Sequence, residues 1–513
     1  MLRLRLQKDI NMVSQENYPE EFVKFLNASP TPYHAVHNIK AHLLEHNFEE
    51  LQEEHSWVEK LKRGRGYFVT RNDSAIVAFV LGEDYDGGNP FAIIGAHTDS
   101  PVLKIKPISK RSNEKFDQVG VECYGGGIWH SWFDSDLSIA GRVIYKSQDH
   151  LGEVLVTKLV DLKKPLLKIP TLAIHLDRTV NEKFVFDKEY QLLPVAGLTA
   201  KQADKDCSEC TEENSSSETF FSIKSVVERH HRDLVNLVAK ELHIESEQIE
   251  DFELTLYDHQ PSCLGGLHDE FVFSGRLDNL TSCFTSMHAL TSSIGAADVN
   301  QECARMMACF DHEEIGSASA QGADSNFLPS VLERIAALKQ RDHSYYRFQD
   351  MTNLSESYRL KLATRKSFFL SSDVAHSVHP NYASKHESNH KPVIGGGPVV
   401  KINANQRYMT NSPGLVLVKA LADSAKVPLQ LIVVANNSPC GSTIGPIIAS
   451  KTGIPTLDLG NPVLSMHSIR ETGGSDDLAS QIKLFTEFYK KGTKMIETGY
   501  VRTNEDMKQP PSK

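Results

Sequence analysis

Five apolar runs, "FAIIGAH", "MMACF", "SFFLSSD", "LQLIVVANN" and "IPTLDLGNPVLSMH", recur between stretches of helical spacing. A run that is apolar at consecutive positions has no polar face to turn to water, so each reads as a strand covered on both sides. Strands of that kind alternating with helices predict an α/β fold, a mostly parallel sheet flanked by helices. With 513 residues, 40% of them hydrophobic, the chain can bury a large core and divide into more than one domain.

The pattern changes twice along the chain. Residues 17–101 open with the helical segments "PEEFVKFLNAS" and "PYHAVHNIKAHLLEHN" and end in strands, the first part of a catalytic domain. Residues 102–262 carry short alternating runs instead, among them "VLKIKPISK", "LSIAGRVIYK", "EVLVTKLVDL" and "TLAIHLD", which predict an inserted β-rich domain. Helix and strand alternation returns over 263–500, the second part of the catalytic domain. Inside the insert, the polar stretch at 201–219 reads as a disordered acidic loop. Its Cys207 and Cys210 form a CxxC with no second pair, a weak basis for a zinc or redox site. His230 and His231, in the helical "SVVERHHRDLVNLVAKEL", point in different directions on a helix and read as a solvated or interface feature. The tail "TNEDMKQPPSK" reads as disordered.

Charge and composition exclude several classes. The 66 acidic against 55 basic residues, a formal net charge of −11, speak against a nucleic-acid surface. No apolar run reaches the length of a membrane span, about 18 residues, and the N-terminus has no secretory-type apolar core, so an intracellular, soluble protein is expected. Eight cysteines in so long a chain, several inside apolar runs, are reduced core thiols rather than a disulfide framework.

The chemistry gathers where the apolar runs end. His97 follows "FAIIGA", Glu313 and Glu314 follow "MMACFDH", Asp373 follows "SFFLSS", and His467 follows "NPVLSM". Asp278 stands in "SGRLDNL", where a strand turns into a helix. In open α/β sheets the crevice beyond the carboxyl ends of the strands is the ligand site. Two adjacent buried carboxylates are costly unless protonated, paired or bound to a cation. Taken singly, each of these residues also has an ordinary structural role, a capping Asp or a hydrogen-bonded His. Together, imidazoles and carboxylates at successive strand ends suit a pair of divalent ions, zinc first.

The motifs "GAHTDSP", "SGRLDNL", "FDHEEIGS", "SSDVAH" with "HPNY", "GGGPVVKINANQRY" and "LSMHSIRE" together resemble the aspartyl aminopeptidase family, its fungal members most of all, over about residues 18–495. The resemblance implies a dinuclear zinc exopeptidase that removes acidic residues from peptide N-termini. It implies that His97, Asp278 and Asp373 hold one metal, that Asp278 bridges, and that Glu314 and His467 complete the other. Glu313 would be the general base, with Asp99 fixing the His97 tautomer. Substrate contacts would fall to His175, His376, Lys401 and Tyr408. The β-rich insert would be a dimerisation domain within a dodecameric shell, its His175 reaching a neighbouring subunit's site. A cytoplasmic location is implied, with delivery to the vacuole through a transport receptor left open. The same ligands would also serve a related aminopeptidase of different specificity or a deacylase, and a non-catalytic assembly or cargo protein would keep the fold without the base.

Overall fold

The computed structural model describes residues 17–150, 152–199, 222–296, 298–338 and 355–497. The CxxC, the 201–219 stretch and the tail lie outside them. The chain separates into two compact units, one drawing on residues up to Ser100, on Ser262–Met466 and on those from Glu471, the other on Pro101–Pro261 and His467–Arg470.

In the first unit "FAIIGAH", "MMACF", "SFFLSSD" and "IPTLDLG" form the middle of a nine-stranded sheet, whereas "LQLIVVANN", expected to be covered on both sides, gives only the edge strand Gln430–Ile432, with Leu431 exposed. Its order is Glu49–Glu50, Gly66–Arg71, Ala75–Leu81, Ala304–Phe310, Phe91–His97, Phe368–Ser372, Thr456–Gly460, Val399–Lys401 and Gln430–Ile432. The strands from Ala304–Phe310 to Thr456–Gly460 are mutually parallel, with His97 in register with Phe310. Burial on both faces follows from alternation. Ala92, Ile94 and Ala96 join one hydrophobic core, with the helices Tyr18–Ala28, Pro32–Glu45, Leu277–Ser292, Ser412–Ala425 and Ser475–Glu487. Phe91 and Ile93 join another, with Phe327–Ala336 and Ile444–Thr452. A smaller sheet runs Cys263–Gly265, Phe271–Ser274, Glu471–Gly474, Pro462–Leu464, Ala375–His376. "NPVLSM" therefore ends in this second sheet, and not in the large one that carries the other strand ends.

The second unit is a closed antiparallel barrel. Its strands follow the order Ile249–Asp258, Val102–Asn113, Phe116–Tyr124, Val195–Leu198, Leu167–Lys168 and Asp136–Asp149, and Ile249–Asp258 pairs again with Asp136–Asp149 to close it. Gly152–Asp161 lies outside on Asp136–Asp149. Closure leaves no free edge among the six strands of the ring.

Two expectations fail in this unit. "TLAIHLD" forms turns rather than a strand, with Leu172, Ile174, His175 and Leu176 all exposed. The expected long helix is broken into Val226–Arg229 and Arg232–Leu242 at the histidine doublet, which is buried and not solvated. The reason is hydrogen bonding. His231 Nε2 lies 2.9 Å from the carbonyl oxygens of both Arg111 and Gln118, a cross-strand pair, while His230 Nδ1 lies 2.8 Å from Ser109 Oγ. An extended backbone at the doublet turns both rings onto the hairpin of Val102–Asn113 and Phe116–Tyr124, whose register shifts between Ile105 and Lys110. Burial pushes His230 down to about 4, so it stays neutral there.

Candidate metal centre

His97 is the last residue of its strand, and its ring is almost wholly buried. Its Nδ1 lies 3.0 Å from the Asp99 carbonyl oxygen and 3.3 Å from the Asp99 carboxylate, so the proton sits on Nδ1 and Nε2 faces the other way. Around Nε2 stand Asp278 Oδ1 at 3.2 Å, Asp373 Oδ1 at 3.6 Å and Glu313 Oε2 at 4.0 Å.

The backbone brings each carboxylate here for a local reason. After the Ala304–Phe310 strand, His312 adopts a left-handed φ of 64° and starts a 3-10 turn at Glu313. The backbone N–H groups of Glu313 and Glu314 then donate to the two oxygens of Asp99, each at 3.1 Å. One carboxylate thus orients the His97 ring and anchors the glutamate pair. Asp278 sits at the start of Leu277–Ser292, its N–H donating to Glu471 Oε2 at 3.2 Å and its carbonyl oxygen accepting from Ser100 Oγ at 2.5 Å. Asp373 directly follows its strand, and a Cβ at Gly460 would stand 1.9 Å from the Asp373 carbonyl oxygen, so only glycine lets the chains approach.

Lys401, at the end of Val399–Lys401, is buried with Nζ 3.3 Å from Asp373 Oδ2 and 5.4 Å from the centre of the Tyr408 ring. Tyr408 is buried too, and burial with the adjacent Cys440 holds its hydroxyl well above the usual range. His376 is exposed, in the two-residue strand Ala375–His376. His467 and His175 belong to the barrel unit. The His467 carbonyl accepts from the Ile128 N–H, and its Nδ1 lies 3.1 Å from the Gly126 carbonyl oxygen. His175 is exposed in a turn. The structure therefore gathers His97, Asp99, Asp278, Glu313, Glu314, Asp373 and Lys401 in one unit, whereas His467 and His175 lie in the other.

The cluster demands positive charge. Burial alone would lower His97, yet Asp278, Asp373 and Asp99 outweigh it and raise the imidazole well above its ordinary range. Burial also pushes Glu313 up to about 8, against the lowering effect of His97 and with that of Asp373, Asp99 and Asp278. Among the described residues Asp373 Oδ1 is buried with no hydrogen-bond donor. Single ligand atoms of His97, Asp278 and Glu314 lie within 4.8 Å of one another, as do those of His97, Glu313 and Asp373. An Nδ1-protonated imidazole amid carboxylates is the donor set of a borderline divalent ion, so zinc fits these residues.

Glu471 and Ser100, which hold the backbone of Asp278, were not anticipated from the sequence. Both stand inside quoted motifs, Ser100 in "GAHTDSP" and Glu471 in "LSMHSIRE", but their role stayed hidden because Glu471 lies 193 positions from its partner and Ser100 lies 178.

The chain matches the family described as "Aminopeptidase I zinc metalloprotease (M18)" over residues 25–489. It is 63% identical over 494 residues to "Aspartyl aminopeptidase 4" of Saccharomyces cerevisiae, covering 96% of this chain and 98% of that one. Among solved structures, Ape4 in complex with Nbr1 has a TM-score of 0.85 at 45% identity, covering 96% of this chain and 88% of that one. The mApe1 dodecamer of S. cerevisiae has a TM-score of 0.77 at 30% identity, covering 95% and 99%. These likenesses bear out the resemblance read from the motifs: the chain belongs to the aminopeptidase I (M18) family of zinc metalloproteases.

Proposed function

We propose that the chain is a dinuclear metallo-aminopeptidase that removes Asp and Glu from the N-termini of peptides. The observation that carries this reading is the single buried imidazole whose Nε2 faces Asp278, Asp373 and Glu313 within 4.0 Å. His97, Asp278 and Asp373 would hold one ion, and Asp278, Glu314 and His467 the other, His467 being assigned from "LSMHSIRE" alone. When bound, such ions polarise a carbonyl oxygen and lower the pKa of water.

The chain's own groups do the rest. Asp99 holds the His97 ring with Nε2 turned to the carboxylates and fixes both glutamate backbones. In this assignment Glu313 is no ligand: it takes a proton from the attacking water and returns it to the departing amine. Lys401 presents a buried cation to an acidic side chain, and Tyr408 and His376 complete the substrate contacts. The barrel serves as a dimerisation domain of a dodecamer, on the likeness to the mApe1 dodecamer, with His175 acting in a neighbouring subunit. By likeness to Ape4, whose solved complex is with Nbr1, the reading extends from the cytoplasm to vacuolar delivery through a receptor.

A panel of Asp, Glu, Ala and Leu aminoacyl substrates, run with and without a chelator, tests the reading. Chelator-sensitive cleavage confined to Asp and Glu is expected. Preference for Ala or Leu would instead identify a neutral aminopeptidase.

A further inference from the structure

Beside Lys401 the first unit holds a cavity of about 300 Å³, at the small end of ligand sites. The backbone links it to the centre. Lys401 is the register partner of Ile432 on parallel strands, and His376, in the short strand just after Asp373, pairs with Val463. Ile432, His376 and Val463 all line the cavity.

Part of the lining is apolar, from Ile432, Val434, Val463 and Met466. The rest includes His379, Lys385, His386 and Glu387. Backbone hydrogen bonds set the tautomers of the two imidazoles. His379 Nδ1 accepts the N–H of Asn381 at 3.2 Å, so its proton is on Nε2. His386 Nε2 accepts the N–H of His379 at 3.4 Å, so its proton is on Nδ1. Each ring keeps one N–H to donate. Glu387 is engaged by its own neighbours: the His390 ring, the Ser388 hydroxyl at 2.9 Å and the Asn389 N–H at 2.9 Å. Lys385 makes no ion pair among the described residues. An apolar wall beside donors and a cation suits a ligand with an apolar body and an anionic end.

We propose that this cavity receives the residue on the leaving side of the scissile bond together with its free C-terminal carboxylate, so that dipeptides with an acidic first and an apolar second residue are favoured substrates. The inference rests on the exopeptidase reading above, which places the acidic side chain of the peptide's first residue at Lys401, and Ile432 of the cavity lies one strand further on.

Two measurements test it. In the first, kcat/KM is compared for Asp-Leu, Asp-Leu-amide and Ala-Leu, in the unaltered protein and in Lys385→Glu. Asp-Leu should exceed its amide by more than tenfold, and Lys385→Glu should erase that ratio while the Asp-Leu to Ala-Leu ratio stands. In the second, which needs no turnover, calorimetry compares leucine with leucinamide as probes. Leucine should bind at least tenfold tighter, and Lys385→Glu should abolish the difference. Equal binding of the two probes, or loss of the Asp over Ala preference in Lys385→Glu, would overturn the assignment. Failure to cleave any Asp substrate, with the leucine preference intact, would overturn the exopeptidase reading and the leaving-side role, and leave the cavity as a site for an apolar residue with a carboxylate end.

Discussion

Lys401 Nζ stands 3.3 Å from Asp373 Oδ2, so a buried cation and a carboxylate of the metal cluster share one contact. Each offsets part of the other's desolvation, and a substrate carboxylate at Lys401 would meet a charge already held in place. Lys401→Ala should therefore lower the Asp over Ala ratio of kcat/KM by more than about tenfold, roughly 1.4 kcal/mol of discrimination. Steady-state kinetics on the two substrates decide it, and an unchanged ratio would place acid recognition elsewhere.

Asp278 is proposed as the bridge between two ions. Asp278→Ala should lose metal and activity together, whereas loss of a terminal ligand should spare one ion. Elemental analysis after gel filtration reads the stoichiometry. Two ions per subunit in Asp278→Ala would refute the bridge.

A histidine cluster away from the centre makes the first unit sensitive to acid. Burial and then His42 hold His288 down to about 3, and burial and then His46 hold His42 down to about 4. Both depart downward from an unfolded value of about 6.5, so the unfolded chain takes up protons first as pH falls. Their contribution to stability is complete above about pH 6.5 and is lost as pH falls, toward about pH 4 for His42 and about pH 3 for His288, by up to about 1.4 kcal/mol per pH unit for each neutral ring. The groups facing them are Tyr18, Glu21, His46, Phe284 and Thr291. Thermal melts between pH 7 and 4 should show Tm falling, and His288→Leu should flatten the slope.

His175 lies exposed in a turn of the barrel unit, among the exposed side chains of Leu172, Ile174 and Leu176. If it completes a neighbour's site, neither His175→Ala nor Glu313→Gln assemblies turn over, yet mixed assemblies hold some sites with both groups intact. Co-expression with two affinity tags should restore activity. Mixed assemblies as inactive as either parent would place His175 outside catalysis in trans.

The legible part of this molecule is what adjacent residues encode. "FAIIGAH", "MMACF" and "SFFLSS" announced their strands because each is apolar at consecutive positions, and the residues after them announced the cluster because buried charge needs a partner. What stayed hidden depends on distant pairing. Nothing near Ile249–Asp258 says that it closes a barrel against Asp136–Asp149. His230 and His231 fit a helical pattern until Arg111, Gln118 and Ser109 claim their rings. The apolar "TLAIHLD" looks like a strand by composition but has no ladder to join, and its side chains remain exposed.

The division of labour between two adjacent glutamates is the central claim, and Glu313→Gln tests it most directly. An amide cannot take a proton from water, but it leaves Asp99, His97 and the Glu314 backbone in place. Metal content and turnover should be measured on the same preparation. The account predicts two ions per subunit and a fall in kcat of at least about 10². Wild-type turnover, or loss of metal in proportion to activity, would contradict it.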